Sequence, residues 1–167
     1  MVRQRWSRLL MASIAFVLVA SAVGCSDDTN DAGTTSAAGS GATGPSTVGV
    51  KLSEFAVGVD TASAPAGSVT FDVSNAGPDD EHEFVVIRTD LSFTDLPTDK
   101  DGAVEEDAEG VQVIDEIEGV PVDGSESLTV DLTAGSYALI CNILQKEPDG
   151  TLEAHYSEGM RAGFTVE

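Results

Sequence analysis

The chain has 167 residues, eight Lys+Arg against 29 Asp+Glu, and a formal net charge of −21. A surface this acidic repels nucleic acid and anionic lipid headgroups, and favours cations or a basic protein partner. With only two histidines and two cysteines, the chain has too few ligands for a multicopper oxidase, and no Gly-x-Ser-x-Gly elbow is present to support a hydrolase.

Arg3, Arg5 and Arg8 form a basic start, followed by an apolar stretch over residues 9–23 interrupted only by Ser13 and Ser21. That stretch is shorter than the roughly 20 residues of a spanning helix, and it ends in Ala22-Val23-Gly24-Cys25. The pattern predicts a signal peptide over residues 1–24. Ala-Val-Gly-Cys resembles the lipobox of bacterial lipoproteins, which implies lipidation of Cys25 and anchoring at the outer face of a bacterial cell membrane. The usual leucine three places before the cysteine is Ala22. An ordinary secretory signal, leaving Cys25 a bystander, is the plainer alternative.

Residues 26–47 contain Ser, Thr, Gly, Ala and Asp with no aromatic and no aliphatic larger than Ala. Such a segment cannot bury enough apolar surface to offset the entropy of ordering, so residues 25–47 are expected to be a flexible tether. Residues 48–167 then form one domain. Loss of the three leader arginines leaves five Lys+Arg against 29 Asp+Glu, a net of −24. Residues 101–118 carry eight acidic side chains and no basic one, a candidate docking patch or simply a solvated face.

Within the domain, short period-two runs bounded by turn residues predict antiparallel strands. They are Val48-Val50-Leu52, Phe55-Val57-Val59, Val69-Phe71-Val73 and Leu128-Val130-Leu132. Phe84-Val-Val-Ile87 and Tyr137-Ala-Leu-Ile140 are continuous apolar runs suited to strands covered on both faces, and Phe164-Thr-Val166 closes the set. Seven to eight short strands indicate an all-β, two-sheet sandwich. Residues 89–124 read as irregular, with a short acidic helical turn near residues 104–108.

The soft ligands are sparse and ordered. Outside the leader and Cys25, the chain holds only His82, Cys141, His155 and Met160 of their types. His82 precedes a core strand, Cys141 ends another, and His155 and Met160 lie in the loop before the last strand. Two imidazoles, a thiolate and a weak axial thioether are the ligand set of a mononuclear blue-copper site. Zinc would need an open position for catalysis, and no general base stands beside these residues. A buried structural thiol and a surface histidine are the plainer readings of Cys141 and His155 taken singly.

Asn75-Ala-Gly77, His82-Glu-Phe-Val-Val86, Gly135-Ser-Tyr-Ala-Leu-Ile-Cys141 and His155-Tyr-Ser-Glu-Gly-Met160 together resemble the cupredoxins, the plastocyanin-like blue-copper proteins. The resemblance covers most of residues 48–167. It implies a Greek-key sandwich, one copper ion held by His82, Cys141, His155 and Met160, and one-electron transfer. Two departures stand out: Glu83 follows the first histidine where the family often has Asn, and 13 residues separate Cys141 from His155. Pro148-Asp-Gly150 marks a turn inside that long segment. The expected function is a monomeric, membrane-tethered electron carrier and not an enzyme, meeting redox partners that carry a basic docking surface. Ile143, Leu144, Leu152 and Tyr156 are the candidate contact patch. The alternative is an exported copper-binding or copper-delivery protein that holds the metal without cycling it.

Overall fold

The structure is a computed structural model that describes residues 45–167. The expected signal peptide, the acylated Cys25 and nearly all of the tether lie outside the described residues.

Val48, Val50 and Leu52 alternate with polar neighbours and are buried along β1 (Ser46–Ser53). That alternation selects one face for the core. β1 begins two residues inside the expected tether. It pairs antiparallel with β2 (Ala56–Val59) and parallel with β4 (Gly67–Asn75), which pairs with β7 (Ser125–Leu132). The first sheet therefore has the order β2-β1-β4-β7. Phe55 belongs to the turn between β1 and β2, not to a strand as expected from its spacing to Val57.

The second sheet runs β3-β11-β8-β5-β6, with β3 (Ser63–Ala64), β5 (His82–Arg88), β6 (Gln112–Val120), β8 (Gly135–Ile140) and β11 (Arg161–Val166). Phe71, Phe84, Leu139 and Phe164 fill the space between the sheets, together with Cys141 and Met160. Phe71 makes tilted ring contact with Phe84 at 5.3 Å and an edge contact with Phe164 at 5.5 Å.

The two continuous apolar runs are covered on both faces. Phe84 and Val86 enter the main core, whereas Val85, Ile87, Ala138 and Ile140 pack beneath Leu96, Val104 and Tyr156. The segment after β5 thus folds over the outer face of the second sheet.

No helix forms near residues 104–108; the amides that would build one are engaged elsewhere. Asp99 Oδ1 accepts the Asp101 and Ala103 N–H groups, Asn142 Oδ1 accepts that of Val104, and Pro97 O accepts that of Glu105. Only a single turn remains, in which Ala108 N–H donates to Glu105 O. β6 also arises inside the stretch expected to be irregular. It is the sheet's edge and bears Asp115, Glu116 and Glu118, charges that discourage pairing with another chain.

Candidate metal centre

His82, Cys141, His155 and Met160 converge at one pole of the sandwich because four consecutive structural decisions end there. His82 opens β5, Cys141 follows β8, His155 starts the single-turn helix α1 (His155–Glu158), and Met160 immediately precedes β11. All four are fully buried.

Main-chain hydrogen bonds tie the last three together. Cys141 N–H donates to Met160 O at 3.0 Å, Met160 N–H to His155 O at 2.9 Å, and His155 N–H to Ile143 O at 3.0 Å. Gly159 makes this compact return possible. Its φ is +130°, and a Cβ there would stand 3.1 Å from Phe55 O.

The donor atoms face one another. His82 Nδ1 lies 3.2 Å from His155 Nδ1, and Cys141 Sγ lies 3.4 Å from His155 Nδ1 and 4.0 Å from His82 Nδ1. One ligand atom from each of these three residues falls within 4.8 Å of the others. Two borderline nitrogens and one soft sulfur at this spacing fit a first-row ion such as copper or zinc. Met160 is buried at the same pole and tied through its main chain to Cys141 and His155, and a thioether as fourth ligand would favour copper. Asp80 and Glu153 also bring carboxylate oxygens within the same distance of His155.

Burial sets the proton states. It lowers both histidines below their ordinary values, outweighing the raising effect of Glu54 and Asp80, so both imidazoles are neutral at neutral pH. Burial pushes the Cys141 thiol up to about 12, while N–H groups of Ile143 and Glu83 directed at the sulfur pull it down. The Glu83 N–H donates to Sγ at 3.4 Å. Cys141 is therefore a protonated thiol until a cation takes the proton's place.

Glu83 has a definite task. Its carboxylate accepts the Asn142 N–H at 2.6 Å, joining the residue after His82 to the residue after Cys141. Burial, with Glu106, Glu116 and Glu118 nearby, raises Glu83 to about 7 despite that hydrogen bond. Asn142 extends the connection, since its side-chain NH2 donates to Val104 O and Glu106 Oε1.

The 13-residue segment between Cys141 and His155 is a hairpin of β9 (Leu144–Lys146) and β10 (Leu152–Ala154) around the turn containing Asp149 and Gly150. Its exposed Leu144 and Leu152 form the apolar part of the expected contact patch. Tyr156 does not join them: it is buried, its hydroxyl donates to Phe93 O, and it accepts the Leu96 N–H. Sequence reasoning also missed Glu54 and Phe55. Phe55 stacks edge-on against His155 at 5.3 Å, and Glu54 Oε1 lies 3.6 Å from His82 Nε2. Nothing in the sequence marks this turn as part of a site, because proximity across two sheets leaves no local pattern.

No family model matches the chain, and no curated protein matches it in sequence. Solved structures do match in shape. Rusticyanin from Thiobacillus ferrooxidans superimposes with a TM-score of 0.50 at 19% identity, covering 72% of this chain and 77% of that one. The chain has the cupredoxin fold. Auracyanin from Roseiflexus castenholzii has a TM-score of 0.47 at 19% identity, covering 76% of this chain and 99% of that one. Auracyanin A from Chloroflexus aurantiacus, described as a blue copper protein, has a TM-score of 0.45 at 18% identity, covering 74% and 100%.

Proposed function

We propose that this cupredoxin-fold domain holds one copper ion through His82, Cys141, His155 and Met160 and carries single electrons between redox proteins. The observation that carries this reading is the convergence of two imidazole Nδ1 atoms and one thiol sulfur in a buried pole that also contains Met160. Copper would supply a one-electron couple. The protein's own part is to present two neutral imidazoles, give up the Cys141 proton on loading, and offer the Glu83 and Ile143 N–H groups to the resulting thiolate. Donors at strand ends, tied by main-chain hydrogen bonds, change position little when the charge at the centre changes.

Full burial of every donor also weighs against a delivery function, since exchange of metal between proteins needs an accessible ligand. Partners would meet the exposed Leu144 and Leu152 of the β9–β10 hairpin, with the acidic surface favouring a basic protein. Anchoring through a lipid on Cys25, with the residues between it and β1 as tether, would hold the carrier beside membrane redox enzymes. The test is the visible and electron paramagnetic resonance spectrum of the copper-loaded domain. An intense thiolate-to-Cu(II) band supports the reading, and a colourless complex with no preference for copper over zinc rejects it.

A further inference from the structure

His82 has a partner that the ligand set does not include. The only N–H a neutral imidazole can carry sits on either Nδ1 or Nε2, and the tautomer decides which nitrogen keeps a lone pair. His82 Nδ1 faces His155 and Cys141, whereas Nε2 is buried with no hydrogen-bond partner among the described residues. The atom facing Nε2 is Glu54 Oε1, at 3.6 Å.

We infer that Glu54 is a positioning residue for His82, whose carboxylate holds the proton on Nε2 and so leaves the Nδ1 lone pair directed at the metal position. This rests on the copper reading for its consequences, but the tautomer itself is a property of the metal-free chain.

Three features support it. First, Glu54 is fixed: its Oε1 accepts the Asp79 N–H at 3.1 Å and the Asp80 N–H at 2.7 Å. These two amides belong to the loop leading into His82, so the carboxylate and the ring are held by the same short segment. Second, two main-chain N–H groups aimed at the same oxygen stabilise negative charge there, and no other donor among the described residues reaches the carboxyl's buried Oε2.

Third, the geometry is asymmetric. At 3.6 Å the contact is longer than a hydrogen bond, so it acts as charge on dipole, in a pocket where His82 is wholly buried and the Glu54 side chain 12% exposed. A lone pair on Nε2 would face an anion; an N–H there faces it favourably. The same turn sets Phe55 against His155, so one turn of the first sheet braces both imidazoles of a site built on the second. A carboxylate behind a ligating histidine also raises the basicity of the ligand, and losing such a partner costs about 10–100-fold in metal affinity.

The test uses Glu54→Gln, which keeps shape and removes charge, and Glu54→Ala. In the metal-free, thiol-reduced domain, two-bond proton–nitrogen correlations read the His82 tautomer directly. The wild type is expected as Nε2–H, with that preference weakened in both variants. On loading with copper, Cu(II) affinity should fall by about 10-fold or more and Cu(I) affinity by less, so the Cu(I) fraction at a fixed redox poise rises. Wild-type His82 found as Nδ1–H overturns the inference. So does an unchanged tautomer with Cu(II) affinity within about twofold in Glu54→Gln, even if Glu54→Ala loses stability. A wild-type domain that takes up no copper rejects the copper reading instead, and the metal-free tautomer still decides the role of Glu54.

Discussion

Asn75 is the residue whose removal should most clearly separate the sandwich from its metal pole. It ends β4 and is 2% exposed. Its side-chain NH2 donates to Asp80 O at 2.7 Å and to Val120 O at 2.9 Å, while its Oδ1 accepts the Gly77 N–H at 2.8 Å. One amide thus connects the first sheet, the end of β6 and the loop that delivers Asp80 and His82. Asn75→Ala breaks all three bonds and leaves backbone groups without partners. At about 1 kcal/mol for each bond, the loss is about 3 kcal/mol, which for a domain of this size lowers Tm by about 10–15 °C. The assay is urea unfolding of the metal-free domain, reading the midpoint with an unchanged slope. Asn75→Asp separates the bonds: it keeps the acceptor for Gly77 but turns an oxygen towards two carbonyls, so it should cost at least as much as Ala. A loss below about 0.5 kcal/mol in both variants, the level of an ordinary surface change, would refute the assignment of Asn75 as the tie between sheet and loop.

Cys141→Ala should abolish the charge-transfer band of the copper-loaded domain, whereas Met160→Leu should keep the band and shift the potential, as expected of an axial ligand; absorbance and redox titration check both. Glu83, raised to about 7, binds a proton more readily folded than unfolded, so the metal-free domain should lose about 1–2 kcal/mol as pH rises from about 4.5 to about 7, and Glu83→Gln should flatten that profile in urea titrations. Cys25→Ser should release the domain from membranes or leave its precursor uncleaved, read by fractionation and mass of the N-terminus. Stopped-flow reduction should slow with salt for a cationic redox partner and quicken for an anionic one, because the Debye length shrinks to roughly 8 Å at physiological ionic strength; two flat profiles would assign the charge to solubility alone.

Legibility in the sequence followed how local each signal was. β1, β4 and β7 were readable because one-sided burial writes period two directly into Val, Leu and Phe positions, and β8 because a continuous apolar run marks a strand covered on both faces. The four soft residues were readable because their types are rare in the chain and their order follows strand ends. β6 was not, since its role as a charged edge replaces apolar alternation with Asp and Glu. The β9–β10 hairpin was visible only as its turn, for three-residue strands have too few positions to show a period. Val104 to Ala108 misled because acidic residues suit a helix start, while the side chains of Asp99 and Asn142 claim the amides first. Glu54 was invisible for a deeper reason: its significance lies in a 3.6 Å approach between residues 28 positions apart, and no property of Glu54 itself records that.

The placement of the site on both sheets follows from the burial of its donors. β5, β8 and the start of β11 place His82, Cys141 and Met160 from the second sheet or its immediate extensions, while His155 starts α1 just after the β9–β10 hairpin. A single sheet could position these side chains, but it would leave their outer atoms wet, and a wet histidine can choose either tautomer by bonding to water. The first sheet supplies the β1–β2 turn, whose Glu54 and Phe55 stand against His82 and His155 respectively. Below the donors, Phe71 of the first sheet packs on Phe84, the second residue after His82. The ring positions are therefore fixed from behind by apolar packing and from outside by the turn, while Cys141 and Met160 are fixed to each other through the backbone. If the pole holds copper as proposed, a change of one charge there would be met by groups already in place, the Glu83 N–H at the sulfur and the Glu54 carboxylate at Nε2. Such preorganised groups need little rearrangement when the charge changes, the condition that the proposed electron carrier would have to meet.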